Sequence, residues 1–321
     1  MQQVRDAAQD IVTNIATVIE GKPEVIRLGV ATLLAQGHLL IEDVPGVGKT
    51  KLAKALGRSI DCEVRRIQFT PDLLPSDITG ASVYNRDSGE FVFKPGPVFA
   101  NLVVGDEINR ASPRAQAALL ECMEEGNVSV DGVTYRLPPP FMVVATQNPL
   151  EMEGTYPLPE AQRDRFTARV SMGYPDAHSE LIMLGEQSTA DPLERLVPVS
   201  TGEAVQRMIA AIRAVYVSDE VKSYAIALAD ATRRSAQLRL GASPRAGLQW
   251  IRVARAWAAM DGRDYVSSAD VKSLAHPVLA HRLLPARATG PGSGRGVSGV
   301  LDDILASTPT PESARRGRAR G

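Results

Sequence analysis

An α/β core built on a mostly parallel five-stranded sheet, followed by an all-helical C-terminal domain, is the fold class that the chain of 321 residues predicts. Two observations carry it. Short apolar runs alternate with helical spacing as far as about residue 175, and only helical periodicity follows. The first apolar run also ends in a glycine-rich turn that opens directly into a helix.

Taken in order, residues 4–34 carry Ile11, Ile15, Val18 and Ile19, then Val25, Ile26, Val30, Leu33 and Leu34 at helical spacing, with Gly21-Lys22-Pro23 dividing two helices. Residues 38–41 form an apolar run typical of a buried parallel strand. Leu52, Ala55 and Leu56 resume a helix, and Val64, Ile67 and Phe69 alternate as a second strand. Residues 101–105 read as a third strand that stops at Asp106. Ser112-Pro113 opens the next helix, because serine caps free N–H groups and proline fits the first turn. The alternation on either side of Asp131-Gly132 predicts a hairpin. Residues 141–145 and 168–172 supply the last two strands of the sheet.

From 201 to 284 the helices have plausible caps at Thr201, Ser218, Ser243 and Ser267. Trp250 and Trp257, seven residues apart, read as bundle core. The expected divisions are a core over 1–178, a linker over 179–200, a helical domain over 201–285 and a disordered basic tail over 286–321. An apolar patch at 300–305 interrupts that tail and is expected to dock only transiently.

The segment Asp43-Val44-Pro45-Gly46-Val47-Gly48-Lys49-Thr50 lies where a phosphate loop must lie, between strand and helix. Gly46 and Gly48 allow successive N–H groups to turn inward, and the helix that follows adds its positive end. Lys49 supplies a mobile charge for the β- and γ-phosphates, and Thr50 a hydroxyl for Mg²⁺. Asp43 stands where the motif usually begins with glycine. Asp106 and Glu107, delivered at the end of an apolar strand, suit a Mg²⁺ shell and the polarisation of an attacking water. Asn148 ends the strand 141–145 and offers an amide to the γ-phosphate. Arg245 follows a Ser-Pro helix start, and Arg165 precedes an apolar strand from which it can reach a neighbouring subunit's nucleotide.

These elements, in this order, resemble an AAA+ P-loop NTPase. Longer strings sharpen the likeness to the MoxR family: Gln68-Phe69-Thr70-Pro71-Asp72-Leu73-Leu74-Pro75-Ser76-Asp77, Pro95-Gly96-Pro97, Asp106-Glu107-Ile108-Asn109-Arg110-Ala111, Ala145-Thr146-Gln147-Asn148-Pro149 and Glu153-Gly154-Thr155-Tyr156-Pro157. The resemblance implies ATP and Mg²⁺ as cofactors, with Pro45, Gly46, Val47, Gly48, Lys49, Thr50 and Lys51 as Walker A. Asp106 and Glu107 become Walker B, Asn148 sensor 1, Arg165 an arginine finger acting in trans and Arg245 the sensor 2 arginine, in contact with the nucleotide of its own copy beside Lys49. Arg163 occupies a position usually aliphatic in the family and stands as a second candidate finger. A helix-2 insertion over about 78–99, a hairpin before sensor 1 and a helical lid are implied as well. So are a hexameric homo-oligomer and chaperone-like work on a partner carrying a von Willebrand factor A domain.

Composition restricts the alternatives. With 36 Lys and Arg against 37 Asp and Glu, the net charge is -1, which argues against a dedicated nucleic-acid binder. The hairpin 127–137 carries Arg136 and Asp131 but no basic tip, so a nucleic-acid motor is the less favoured rival. The motor subunit of a metal chelatase remains the main alternative, although His38, His178, His276 and His281 form no plausible ligand set. Cys62 and Cys122 read as reduced packing residues. The first residues lack an apolar secretion core, and no stretch approaches the ~20 apolar residues of a membrane span. A cytoplasmic protein without membrane insertion is the expectation.

Overall fold

A computed structural model describes residues 1–44, 47–148, 155–174, 192–286 and 296–311. Pro45, Gly46, Pro149, Glu153, Gly154 and His178, most of the expected linker and the arginine-rich end of the tail lie outside them. In chain order the first part comprises α1 (Gln2–Ala16), α2 (Pro23–Leu34), β1 (Leu39–Glu42), α3 (Lys49–Ser59), β2 (Val64–Gln68), α4 (Pro75–Thr79), β3 (Gly80–Asn85) and β4 (Glu90–Pro95). It continues with β5 (Leu102–Asp106), α5 (Pro113–Glu125), β6 (Asn127–Val130), β7 (Val133–Arg136), β8 (Met142–Gln147), α6 (Glu160–Arg163) and β9 (Ala168–Val170).

Five strands form one sheet in the order β2-β5-β8-β1-β9, and every neighbouring pair is parallel. Successive side chains on a strand point to opposite faces, so each strand feeds two cores. Leu39, Ile41, Leu102, Val104, Met142 and Val144 pack with α1, α2 and α3. Leu40, Val103, Val143 and Ala145 pack with the Ala115, Leu119, Leu120 and Met123 stripe of α5. A Cβ at Gly105 would come within 3.1 Å of Phe69 and 3.5 Å of Leu119, so β5 carries glycine where those side chains close over its end.

Two hairpins stand outside the sheet. β6 and β7 pair antiparallel about Asp131 and Gly132, both at positive φ (51° and 78°), as an Asp-Gly turn requires. β3 and β4 form the other, inside the segment read as an insertion. Phe93 of β4 stacks on Tyr135 of β7 with ring centroids 4.2 Å apart, which joins the hairpins side by side. At the outer end of the β3–β4 hairpin, Tyr84 and Phe91 pack edge to face, and Phe91 is 74% exposed.

The helical domain contains helices Gly202–Ile212, Asp219–Arg234, Pro244–Met260, Ser268–Ser273 and Ala275–Leu279. Thr201, Ser218, Ser243 and Ser267 all cap: each hydroxyl accepts from the backbone N–H three residues on. Trp250 is fully buried and donates to the Val271 carbonyl at 3.0 Å. Trp257 instead lies under the Arg27 guanidinium of α2, 4.2 Å from the ring centroid, and so fastens this domain to the core.

Two expectations need correction. Leu238–Leu240 and Leu284–Pro285 form a short antiparallel pair within a stretch that reads as wholly helical. The expected disordered tail contains a helix, Val297–Ser307. Val300, Leu301, Ile304 and Leu305 recur on one helical face and are buried in the main core, while Asp302 meets His276 at 2.8 Å. The surrounding glycine, proline and arginine mask that spacing in the sequence.

Two buried histidines make the fold sensitive to acid. His38 receives the Val143 N–H on Nδ1 at 3.0 Å, and its Nε2 lies 2.9 Å from the Met123 carbonyl, which fixes a neutral ring. Burial lowers its pKa from 6.5 to about 4, against a smaller opposing effect from Met123. The unfolded chain therefore binds a proton below pH 6.5 that the folded chain refuses, and stability falls as pH drops from 6.5 towards 4. At pH 4.5 the loss from this group is on the order of 2 to 3 kcal/mol. Burial holds His281 low as well. His38→Gln keeps a donor and an acceptor but cannot protonate. Urea unfolding at a series of pH values is expected to show a shallower loss below pH 6.5 in that variant than in the wild type.

Candidate nucleotide site

Asp43 and Val44 follow the carboxyl end of β1, which lies between β8 and β9, and Gly48 enters α3 at φ 87°, a left-handed conformation suited to glycine. Val47, Gly48, Lys49, Thr50 and Lys51 are all half-buried. Lys49 Nζ donates to the Asp43 carbonyl at 2.7 Å and lies 3.5 Å from the Gln147 carbonyl, so the ammonium is held over the strand ends. Burial lowers its pKa, opposed by the nearby charges of Asp43, Asp106 and Glu107.

Asp43, the departure from the usual glycine, has a structural task. Its carboxylate accepts from Val44 N at 2.9 Å, Ser171 Oγ at 2.9 Å and Gly173 N at 2.6 Å, which ties the start of the loop to the chain beyond β9. Burial alone would raise its pKa, but these hydrogen bonds outweigh it and hold the carboxyl below its ordinary value.

Asp106 ends β5 almost fully buried. It accepts from Thr50 Oγ1 at 3.2 and 3.1 Å, from Thr146 Oγ1 at 3.1 Å and from Arg66 Nε at 2.5 Å. The threonine hydroxyl and the carboxylate are hard oxygen donors in contact. They fit a Mg²⁺ that arrives with phosphate and keeps most of its water, rather than a closed protein cage. Among the described residues no group of three or more His, Cys, Asp or Glu could hold a metal.

Glu107 adopts φ 57°, ψ 48°, a left-handed backbone unusual for a residue with a Cβ. The Thr146 hydroxyl receives its N–H at 3.0 Å and so fixes the bend. Its carboxylate accepts from Gln68 Nε2 at 3.0 Å and Arg110 NH1 at 3.1 Å. Arg66 also donates to Gln68 Oε1 at 2.7 Å, so one guanidinium touches Asp106 directly and Glu107 through an amide. Asn148 is buried directly beyond β8.

Lys49, Thr50, Asp106, Glu107 and Asn148 are thus gathered at the carboxyl edge of the sheet. Arg165 and Arg245 lie elsewhere. Both pair with Glu124 in the last turn of α5, Arg165 at 3.0 Å. They line a cavity of about 310 Å³ with His38 and Thr167, which precede β1 and β9 at the amino edge. Four residues of β1 separate the two edges, roughly 13 Å of extended chain. Asp164 fastens the arginine-bearing turn to the helical domain, accepting from Ser243 Oγ at 2.9 Å and Arg282 NH1 at 3.1 Å. Burial pushes the Arg282 guanidinium down to about 10, although Asp164 opposes the shift. Arg163 precedes this turn at the end of α6, with Nε buried and unpaired.

Gln68 belongs to one of the family strings without a stated role, and Arg66 and Glu124 belong to no motif. The alternation along β2 puts Arg66 and Gln68 on one face, but only the pairing of Gln68 with Asp106 in register brings them to the acids.

Residues 38–168 match the ATPase family associated with various cellular activities (AAA), and residues 230–298 match the AAA lid domain. The chain is 48% identical over 273 residues to the uncharacterised protein YeaC of Bacillus subtilis, covering 85% of each. It is 41% identical over 280 residues to chaperone MoxR1 of Mycobacterium tuberculosis, across 84% of this chain and 74% of that protein. Protein MoxR of Paracoccus denitrificans is 31% identical over 318 residues, across 92% of this chain and 93% of that one. A solved crystal structure of a candidate ATPase from Cytophaga hutchinsonii superposes with a TM-score of 0.88 at 36% identity, over 96% of both chains.

Thr146 bonds to both acids of the site, so its hydroxyl is the most informative single deletion there. Thr146→Val is expected to lower nucleotide turnover about tenfold, the loss of one to two hydrogen bonds, while a fluorescent nucleotide analogue still binds. Steady-state phosphate release and fluorescence titration check the two parts.

Proposed function

The chain belongs to the MoxR family of AAA+ ATPases and hydrolyses ATP, and from that premise we propose that copies of it close into a ring, a hexamer in the simplest case, and couple Mg-ATP hydrolysis to the remodelling of a partner protein. Lys49 and the loop N–H groups bind the phosphates, and Thr50 and Asp106 hold Mg²⁺. When bound there, Mg²⁺ supplies charge neutralisation to the transferring phosphoryl group. Glu107 orients and polarises the attacking water, and Asn148 steadies it against the γ-phosphate. Glu107 must first turn away from Gln68 and Arg110.

The observation that carries this reading is the placement of the two sets of charge at opposite edges of the sheet. Arg165 and Arg245 line a cavity with His38, before β1, whereas Lys49 stands beyond the carboxyl end of that strand, so the triphosphate reached by Arg245, as well as by the expected finger Arg165, belongs to another copy. Head-to-tail contacts of that kind close naturally into rings. The Asp164 bonds to Ser243 and Arg282 make these arginines move with the lid, so its rotation is felt at the neighbour's site.

The partner proposed is a protein with a von Willebrand factor A domain, the class that the MoxR resemblance implies. The exposed Tyr84–Phe91 pair on the β3–β4 hairpin offers an apolar grip, and the Phe93–Tyr135 stack joins it to the second hairpin.

Mixing experiments test the shared site. Arg165→Ala subunits are expected to bind ATP and to hydrolyse it at least ~10³-fold more slowly than wild type. Addition of Lys49→Ala subunits, whose own sites are dead but whose arginines are intact, is expected to restore part of the phosphate release. No restoration in any ratio would refute the trans arrangement.

A further inference from the structure

We infer that Glu124 is a positioning residue that holds Arg165 and Arg245 as a two-pronged donor for the triphosphate of a neighbouring copy. The inference rests on the trans reading above and adds a residue to it. Glu124 lies in the last turn of α5, where Glu121 and Glu125 are also acidic and basic residues are missing. Negative charge at that end opposes the helix dipole, so local helix stability does not account for it.

The tertiary contacts do. Glu124 Oε2 takes Arg165 NH2 at 3.0 Å, and Oε1 takes Arg245 NH2. One carboxylate thus holds two guanidinium groups, one on each oxygen. The two come from different parts of the chain: Arg165 from the turn before β9, Arg245 from the first turn of helix Pro244–Met260. Asp164 joins the backbones carrying them through Ser243, and Glu124 fixes the charged ends. Without it, two cations drawn to the same small space would repel and splay.

Charge and access agree with a donor rather than a finished ion pair. The side chains of Arg165, Glu124 and Arg245 keep 29%, 33% and 37% of their exposure, so the guanidinium edges away from Glu124 stay accessible. Arg252 and Gln249 line the same cavity, so cations outnumber the carboxylate there. A γ-phosphate from a second copy then meets two guanidinium groups already at a set spacing, with less ordering left to do on arrival.

The test uses the full chain. Glu124→Gln and Glu124→Ala are expected to lower kcat for ATP at least tenfold, with ring assembly retained and affinity for a fluorescent ATP analogue within twofold, because the variant's own phosphate loop is untouched. Mixing Glu124→Ala with Lys49→Ala subunits is expected to restore part of the phosphate release, since an intact loop that borders a Lys49→Ala copy meets a properly held arginine pair. Arg165→Ala mixed with Lys49→Ala runs in parallel. Recovery there but not with Glu124→Ala overturns the role given to Glu124 and leaves the trans reading standing. Failure of both mixtures overturns the trans reading, and the role of Glu124 with it. Wild-type kcat in Glu124→Gln also overturns the inference.

Discussion

A parallel sheet puts the carboxyl ends of its strands on one edge and their amino ends on the other, and the chemistry of this protein is divided by that geometry. The ends of β5 and β8 carry the acids and the amide, and the start of α3 holds the lysine over them. The amino edge, closed by the end of α5 and the start of a lid helix, carries the arginines. In the function proposed, phosphate transfer needs both sets at one γ-phosphate. Within one copy the sheet stands between the two sets, and the shared site proposed above follows from that separation.

Each edge is prepared before ligand arrives. Thr146 bonds Asp106 and caps the left-handed bend at Glu107, so the two carboxylates diverge from adjacent positions in the chain. The backbone strain of that bend is offset by the hydrogen bond and by the packing of Ile108 directly after it. Arg66 and Gln68 partner the two acids, one on each carboxylate. On the opposite edge Arg282, charged and nearly fully buried, holds Asp164 and the Phe166 carbonyl, so the arginine turn is braced from the lid.

What sequence reading captured is what depends on neighbours along the chain. The passage from β1 to α3, the strand ending at Asp106, the Asp131-Gly132 turn and the serine and threonine caps all follow from local conformational preference. What it missed depends on register and on chain closure. Arg66 and Gln68 gain meaning only because β2 pairs with β5 so that Gln68 stands opposite Asp106. Glu124 is one of several acids on α5 until the tertiary fold brings arginines from residues 165 and 245 to it. Asp43 looks like a defect in a glycine-rich motif until Ser171 and Gly173 arrive from beyond β9. The helix at 297–307 had a legible apolar face, but its flanking composition pointed the other way.

The most direct measurement is specific ATPase activity against protein concentration, followed by sedimentation on the same samples. If two copies complete each site, turnover per subunit is close to zero where the protein sediments as a monomer and climbs steeply as larger species form. A rate per subunit that stays constant through that transition would mean one copy carries the whole reaction, and the division of charge across the sheet would then have no catalytic meaning.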